Sequence, residues 1–113
     1  MPVPFPGAAQ NVGTPNIPPS ALGASQTWLG GVKQSKGANV AVYAKVTHAA
    51  VLHIKQYADN AGTILVQDST VSLVANTANS LLVNDGKLFV AFEVSIVNSS
   101  GGVLATTYLE VLQ

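Results

Sequence analysis

KLFVAFEVSIVNSSGGVLATTYLEVLQ, residues 87–113, is the stretch whose reading decides the fold. Two runs of alternating residues flank the turn cluster Asn98-Ser99-Ser100-Gly101-Gly102, and apolar alternation with a period of two belongs to antiparallel strands rather than to a helix. The stretch predicts a β-hairpin. Successive side chains of a pleated strand point to opposite faces, so Leu88, Val90, Phe92, Val94 and Ile96 share one face, which is expected to be buried. On the return strand Ala105, Leu109 and Val111 form the apolar row, completed by Thr107, while Thr106, Tyr108 and Glu110 fall on the other side. Val90, Phe92, Val94, Leu109 and Val111 are the expected core of this pair.

Working outward, the same signature recurs upstream. Residues 39–47 alternate cleanly, with Val40, Val42, Ala44 and Val46 on one face and Ala41, Tyr43, Lys45 and Thr47 on the other. Residues 51–58 place Leu52, Ile54 and Gln56 opposite Val51, His53, Lys55 and Tyr57, with Leu52 and Ile54 the expected buried face, and Asp59-Asn60-Ala61-Gly62 then turns the chain into another hairpin. Short strands are expected at 64–67, 71–75 and 81–83, and Asn84-Asp85-Gly86 leads into the final stretch. Residues 26–32, with Trp28 and Leu29, suit an edge strand. Seven or eight strands about ten residues apart, with no helical pattern, describe an all-β domain, an antiparallel β-sandwich or jelly roll over residues 25–113. A small up-and-down barrel is the alternative.

Residues 1–24 have a different character, for they hold all six prolines. Proline fixes its own backbone angle, lacks a donor and biases its predecessor toward extended conformations, so this segment reads as an extended N-terminal arm. Val3, Phe5, Val12, Ile17 and Leu22 are spaced along it, and apolar residues at intervals suit docking, on a neighbouring subunit or on the arm's own domain, better than a solvated linker does.

The chain has 113 residues, of which 48% are hydrophobic and only 9% charged, against about 25% charged residues in ordinary domains. One compact domain is implied. Five lysines, no arginine and five acidic residues give a formal net charge of zero, which leaves little to attract nucleic acid or anionic lipid. Neither nucleic acid nor membrane is an expected partner. Without charge repulsion, self-association is favoured over a monomer. The absence of cysteine excludes disulfides and thiolate chemistry. The opening residues lack the charged start and apolar core of a secretory signal, which suggests synthesis in a cytoplasm.

No catalytic constellation emerges, and no enzyme, cofactor or metal is expected. His48 and His53 are five apart and fall on opposite faces of a strand, which does not suit a shared metal. The acidic residues Asp59, Asp68, Asp85, Glu93 and Glu110 are scattered, and no serine elbow, phosphate-binding loop or zinc motif is present. The aromatic residues Trp28, Tyr43, Tyr57 and Tyr108 remain as candidate surface contacts, because Tyr43, Tyr57 and Tyr108 each lie opposite an apolar face.

Residues 89–112, FVAFEVSIVNSSGGVLATTYLEVL, resemble the C-terminal hairpin of small β-sandwich virion proteins of tailed bacteriophages, and residues 52–73, LHIKQYADNAGTILVQDSTVSL, are similar to the hairpin before it. The strand before the turn lacks the arginine of that pattern. The resemblance implies a capsid decoration or cement protein on the virion surface, made in the host cytoplasm. Its implied partners are the major capsid protein and copies of itself, with a homotrimer favoured. Two other functions fit the residues. One is a fibre, spike or tail-associated module recognising a host glycan through exposed Tyr and Trp; the other is a self-assembling small capsid or tube protein.

Overall fold

The computed structural model describes residues 20–36 and 39–113, and these form seven strands: β1 Thr27–Gln34, β2 Val40–Val46, β3 Ala50–Tyr57, β4 Leu65–Leu73, β5 Asn79–Val83, β6 Ala91–Asn98 and β7 Thr106–Leu112. They make two antiparallel sheets, a four-stranded one in the order β1-β6-β3-β4 and a three-stranded one in the order β5-β2-β7. The sheets pack face to face as a β-sandwich. They approach each other where β4 meets β5. Counted from the side where β4 meets β5, the four-stranded sheet has one strand more than the three-stranded one, so β1 is left beyond β7.

Each inner face is built from the alternation visible in the sequence. Val40, Val42, Ala44 and Val46 of β2 are fully buried, as are Leu52 and Ile54 of β3, and Phe92, Val94 and Ile96 of β6 join them with Leu73, Val83 and Val111. Burying a side chain of this size contributes about 1.5–3 kcal/mol relative to leaving it in water, so this cluster dominates the folding free energy.

The expected hairpin over residues 87–113 does not form. β6 lies in the four-stranded sheet between β1 and β3, whereas β7 pairs with β2 in the other sheet. The residues between them carry the chain from one sheet to the other. Both strands bury one face, and two faces buried by alternation fit opposite walls of a core as well as they fit neighbouring strands. Among the described strands only β3 and β4 pair as sequence neighbours, across the turn predicted at 59–62; the other strands that follow one another in sequence stand in different sheets. The core expectation for Leu88 and Val90 is corrected for the same reason. They precede β6 in the crossing loop, Leu88 at 92% exposure and Val90 at 44%, while Phe89 packs against the core in their place. Leu109 is half-buried against the core.

β4 is one continuous strand, not two short ones. Its polar middle, Gln67 to Thr70, lies on a sheet edge, where water can reach it, and Asp68 takes a partner from β3. A register shift between Leu29 and Val32 marks a bulge at Gly30-Gly31, with Gly31 at φ 89° and its amide donating to Glu93 Oε2 at 3.2 Å.

Candidate functional site

The crossing between β6 and β7 is held by one buried side chain. Asn98 is fully buried, and its Nδ2 donates to the carbonyls of Leu22 (2.9 Å), Gly23 (3.1 Å) and Gly102 (2.8 Å), while Oδ1 accepts from the amide and the hydroxyl of Ser100. Beside it Leu22 and Leu104 exchange two backbone hydrogen bonds of 2.8 Å. A primary amide has the donors and acceptors to satisfy several carbonyls and amides at once, as a buried loop requires. His48 belongs to the same region: its ring lies against Gly102, where an added Cβ would stand 2.9 Å from Nε2, and Nδ1 meets Thr47 Oγ1 at 2.9 Å.

Leu22, expected among the docking residues of the arm, is therefore part of the sandwich core. Val3, Phe5, Val12 and Ile17 lie outside the described residues. The four aromatic candidates separate into two pairs. Trp28 points inward from β1 and is buried at 9% exposure, its indole nitrogen without a partner among the described residues. Tyr57 has the outward parity read from the sequence, yet it is 8% exposed. Gly62, in the turn between β3 and β4, abuts Val32 of β1, so the turn leans across the outer face of the sheet at this end. Burial pushes the Tyr57 phenol above its ordinary range, and the carboxylates of Glu93, Asp68 and Asp59 act in the same direction. Neither Trp28 nor Tyr57 is a surface contact. Alternation shows which side of a strand a residue takes, and it carries no information about a loop folding over that side.

Tyr43 and Tyr108 are exposed, at 44% and 48%, on the outer face of the three-stranded sheet. The pairing places Tyr43 between Ser80 of β5 and Glu110 of β7, with Lys45 beside Tyr108, and Ala41 between Leu82 and Leu112. The result is a surface of two phenols and three apolar side chains with one lysine and one carboxylate. Desolvation raises the Tyr108 phenol above its ordinary range, reinforced by the hydrogen bond and the charge of Glu110. Tyr108 lies on β7, which is a sheet edge, paired only with β2 among the described residues.

The outer face of the four-stranded sheet is ionic at its centre. Glu93, Lys55 and Asp68 align across β6, β3 and β4, and His53 Nδ1 meets Asp68 Oδ1 at 3.0 Å. No carboxylate lies near His53 in the sequence; the β3–β4 register supplies one fifteen residues away. Among the described residues no three of His, Asp or Glu gather to hold a metal ion, and no helix is long and apolar enough to cross a membrane. An open cleft of about 440 Å³ lies between Gln34, Asn60 and the loop from Lys87 to Val90. No family model, curated protein or solved structure matches the chain.

Proposed function

We propose that the chain is a virion structural protein of the capsid decoration or cement type, which binds the outside of a phage shell and bridges neighbouring capsid subunits as a homotrimer. The observation that carries the reading is the nearly uncharged outer face of the three-stranded sheet, where Leu82 of β5, Tyr43 of β2 and Tyr108 of β7 are presented to solvent. Rigid, amphipathic aromatic side chains at the centre of a neutral patch are the composition of protein contact surfaces. The likeness of residues 52–73 and 89–112 to phage sandwich proteins supports the choice of partner, and the arm adds reach to neighbouring subunits.

Removal of residues 1–19 tests this. The cut must spare Leu22 and Gly23, whose carbonyls Asn98 holds. The shortened chain keeps its far-UV circular dichroism and no longer cosediments with shells; undiminished cosedimentation overturns the proposal. The exposed pair Tyr43 and Tyr108 also supports a second reading, a glycan-binding module. Glycan-array binding by the full chain, lost on Tyr43→Ala or Tyr108→Ala, would replace the first reading with this one.

A further inference from the structure

We propose that residues 2–7 of one copy, PVPFPG, add as an outer strand to the β7 edge of a second copy. The assignment deepens the assembly reading above and rests on it.

The receiving site is set by the sheet order. β7 is an edge among the described residues, and β1 extends past it in the facing sheet, so one more strand beside β7 would lie opposite β1 and extend the shorter sheet to four strands. Trp28, buried on the inner side of β1 with an indole nitrogen that has no partner among the described residues, belongs to the layer this strand would cover.

The donated strand is identified by its pattern of donors. Within a strand, consecutive residues direct their amide and carbonyl groups to opposite neighbours. Prolines at positions 2, 4 and 6 have no N–H, so all the amides that such a strand can offer, from Val3, Phe5 and Gly7, point to one side. A strand with one bonding side can cap an edge and cannot extend a sheet further. The side chains alternate likewise, Val3 and Phe5 on one face and the proline rings on the other. Set beside β7, the first pair turns inward under β1 and the prolines lie over Tyr108.

The copy that gives the strand is not the one that receives it. The antiparallel Leu22–Leu104 bridge starts each arm along its own β7, and continuing that register would set Ser20 against Thr106 and Pro18 against Tyr108. The bridge stands alone, with no Ser20–Thr106 pairing following it. Pro18 and Pro19 have no amide to continue a ladder there. From Ser20 to Gly7 an extended chain covers roughly 45 Å, more than the longest dimension of the domain, 36 Å. Each copy then gives one strand and receives one, an exchange that a reciprocal pair or a closed ring satisfies.

Sedimentation equilibrium of the full chain over a wide concentration range tests the assignment, with hydrogen exchange at the β7 amides. The double variant Val3→Pro/Phe5→Pro removes donors from the bonding side, and Pro4→Ala leaves that side intact. The wild type and Pro4→Ala associate alike, with β7 protection that grows with concentration. Val3→Pro/Phe5→Pro, with an unchanged melting temperature in its monomer, associates at least tenfold more weakly and loses that protection. Equal association of the double variant overturns the proposal, as does a chain monomeric throughout, or β7 protection that is complete in the monomer. Shell cosedimentation separates this from the parent reading: association lost in the double variant while the wild type binds no shell sinks only the virion function, and shell binding with a double variant that still associates sinks only the strand exchange.

Discussion

On the four-stranded sheet the outward positions of β6, β3 and β4 read Glu93, Lys55, Asp68, with His53 bonded to Asp68, and the turn at Gly62 abuts Val32 at one end. On the three-stranded sheet the outward positions of β5, β2 and β7 read Ser80, Tyr43, Glu110 and Leu82, Ala41, Leu112, with Tyr108 beside Lys45 and β7 as an edge. Both faces sit behind inner walls that are apolar apart from Gln56 of β3, so the core does not account for their difference. Exposed ion pairs contribute about 0–1 kcal/mol each; their effect on the first face is to keep it hydrated. Exposed phenols and leucines on the second do nothing for the isolated fold and retain area for a partner. Both sheets end in two edge strands; what separates them is the outer face, charged and partly overlain by a turn on the larger sheet and nearly neutral on the smaller.

The largest effect should come from the joint between the sheets. Asn98→Ala takes the closest donor from the Gly102 carbonyl and the acceptor from the Ser100 amide, while the carbonyls of Leu22 and Gly23 keep the amides of Leu104 and Gln26, and is expected to cost about 2–4 kcal/mol in urea denaturation, since each buried group left unpaired costs about 1–3 kcal/mol. A cost below 1 kcal/mol would mean that the sheets hold together without this clamp. Next is the turn over the larger sheet. Gly62 has φ 72° and an added Cβ would stand 2.6 Å from Val32 Cγ2, so Gly62→Ala should lose about 2 kcal/mol, with partial recovery in the double variant with Val32→Ala.

Gln56 sharpens the comparison from inside. It is fully buried on the inner face of the larger sheet, and neither amide atom has a partner among the described residues. Gln56→Leu should therefore stabilise the chain by about 1–2 kcal/mol, because removing an unsatisfied buried polar group recovers its desolvation cost; a loss of stability would show that the amide is satisfied. The outer faces themselves should barely register in stability. Tyr43→Ser/Tyr108→Ser and Lys55→Gln are each expected within about 0.5 kcal/mol of the wild type, with shell cosedimentation lost only in the tyrosine pair. Equal effects on binding would abolish the distinction between the faces.

The smallest effect is a pH dependence in the turn over the larger sheet. The Thr63 hydroxyl, with the amides of Ile64 and Thr63, holds the Asp59 carboxyl below the usual carboxylate range. A depressed acid contributes stability above its ordinary pKa and loses it as pH falls through the folded value. The stability gap between the wild type and Asp59→Asn should thus narrow on acidification below about pH 4; a gap constant to pH 2 would discount the turn's hydrogen bonds.

Much of the scaffold was legible from the sequence. The inward rows of β2, β3 and β6 follow from alternation, as does the β3–β4 turn from Asp59 to Gly62, because these depend on neighbours along the chain. The candidate surface was half legible. Tyr43 and Tyr108 have the outward parity of their strands and are exposed, whereas Tyr57 has the same parity and lies buried beside a turn, and Trp28 faces the core. Leu22 read as arm because the proline-rich stretch ending at Pro18-Pro19 runs up to it, although its partners, Leu104 and Asn98, are more than seventy residues away.

The sequence by itself determined which residues alternate into strands and which face of each is apolar, since side-chain direction in a strand is a local, two-residue property. Tertiary structure alone decided that residues 91–98 and 106–112 stand in opposite sheets. A strand with one apolar face is equally satisfied beside its sequence neighbour or across the core from it. What selects between them here is long-range: β6 fits between β1 and β3, β7 joins β2, and Asn98 satisfies the backbone of the crossing.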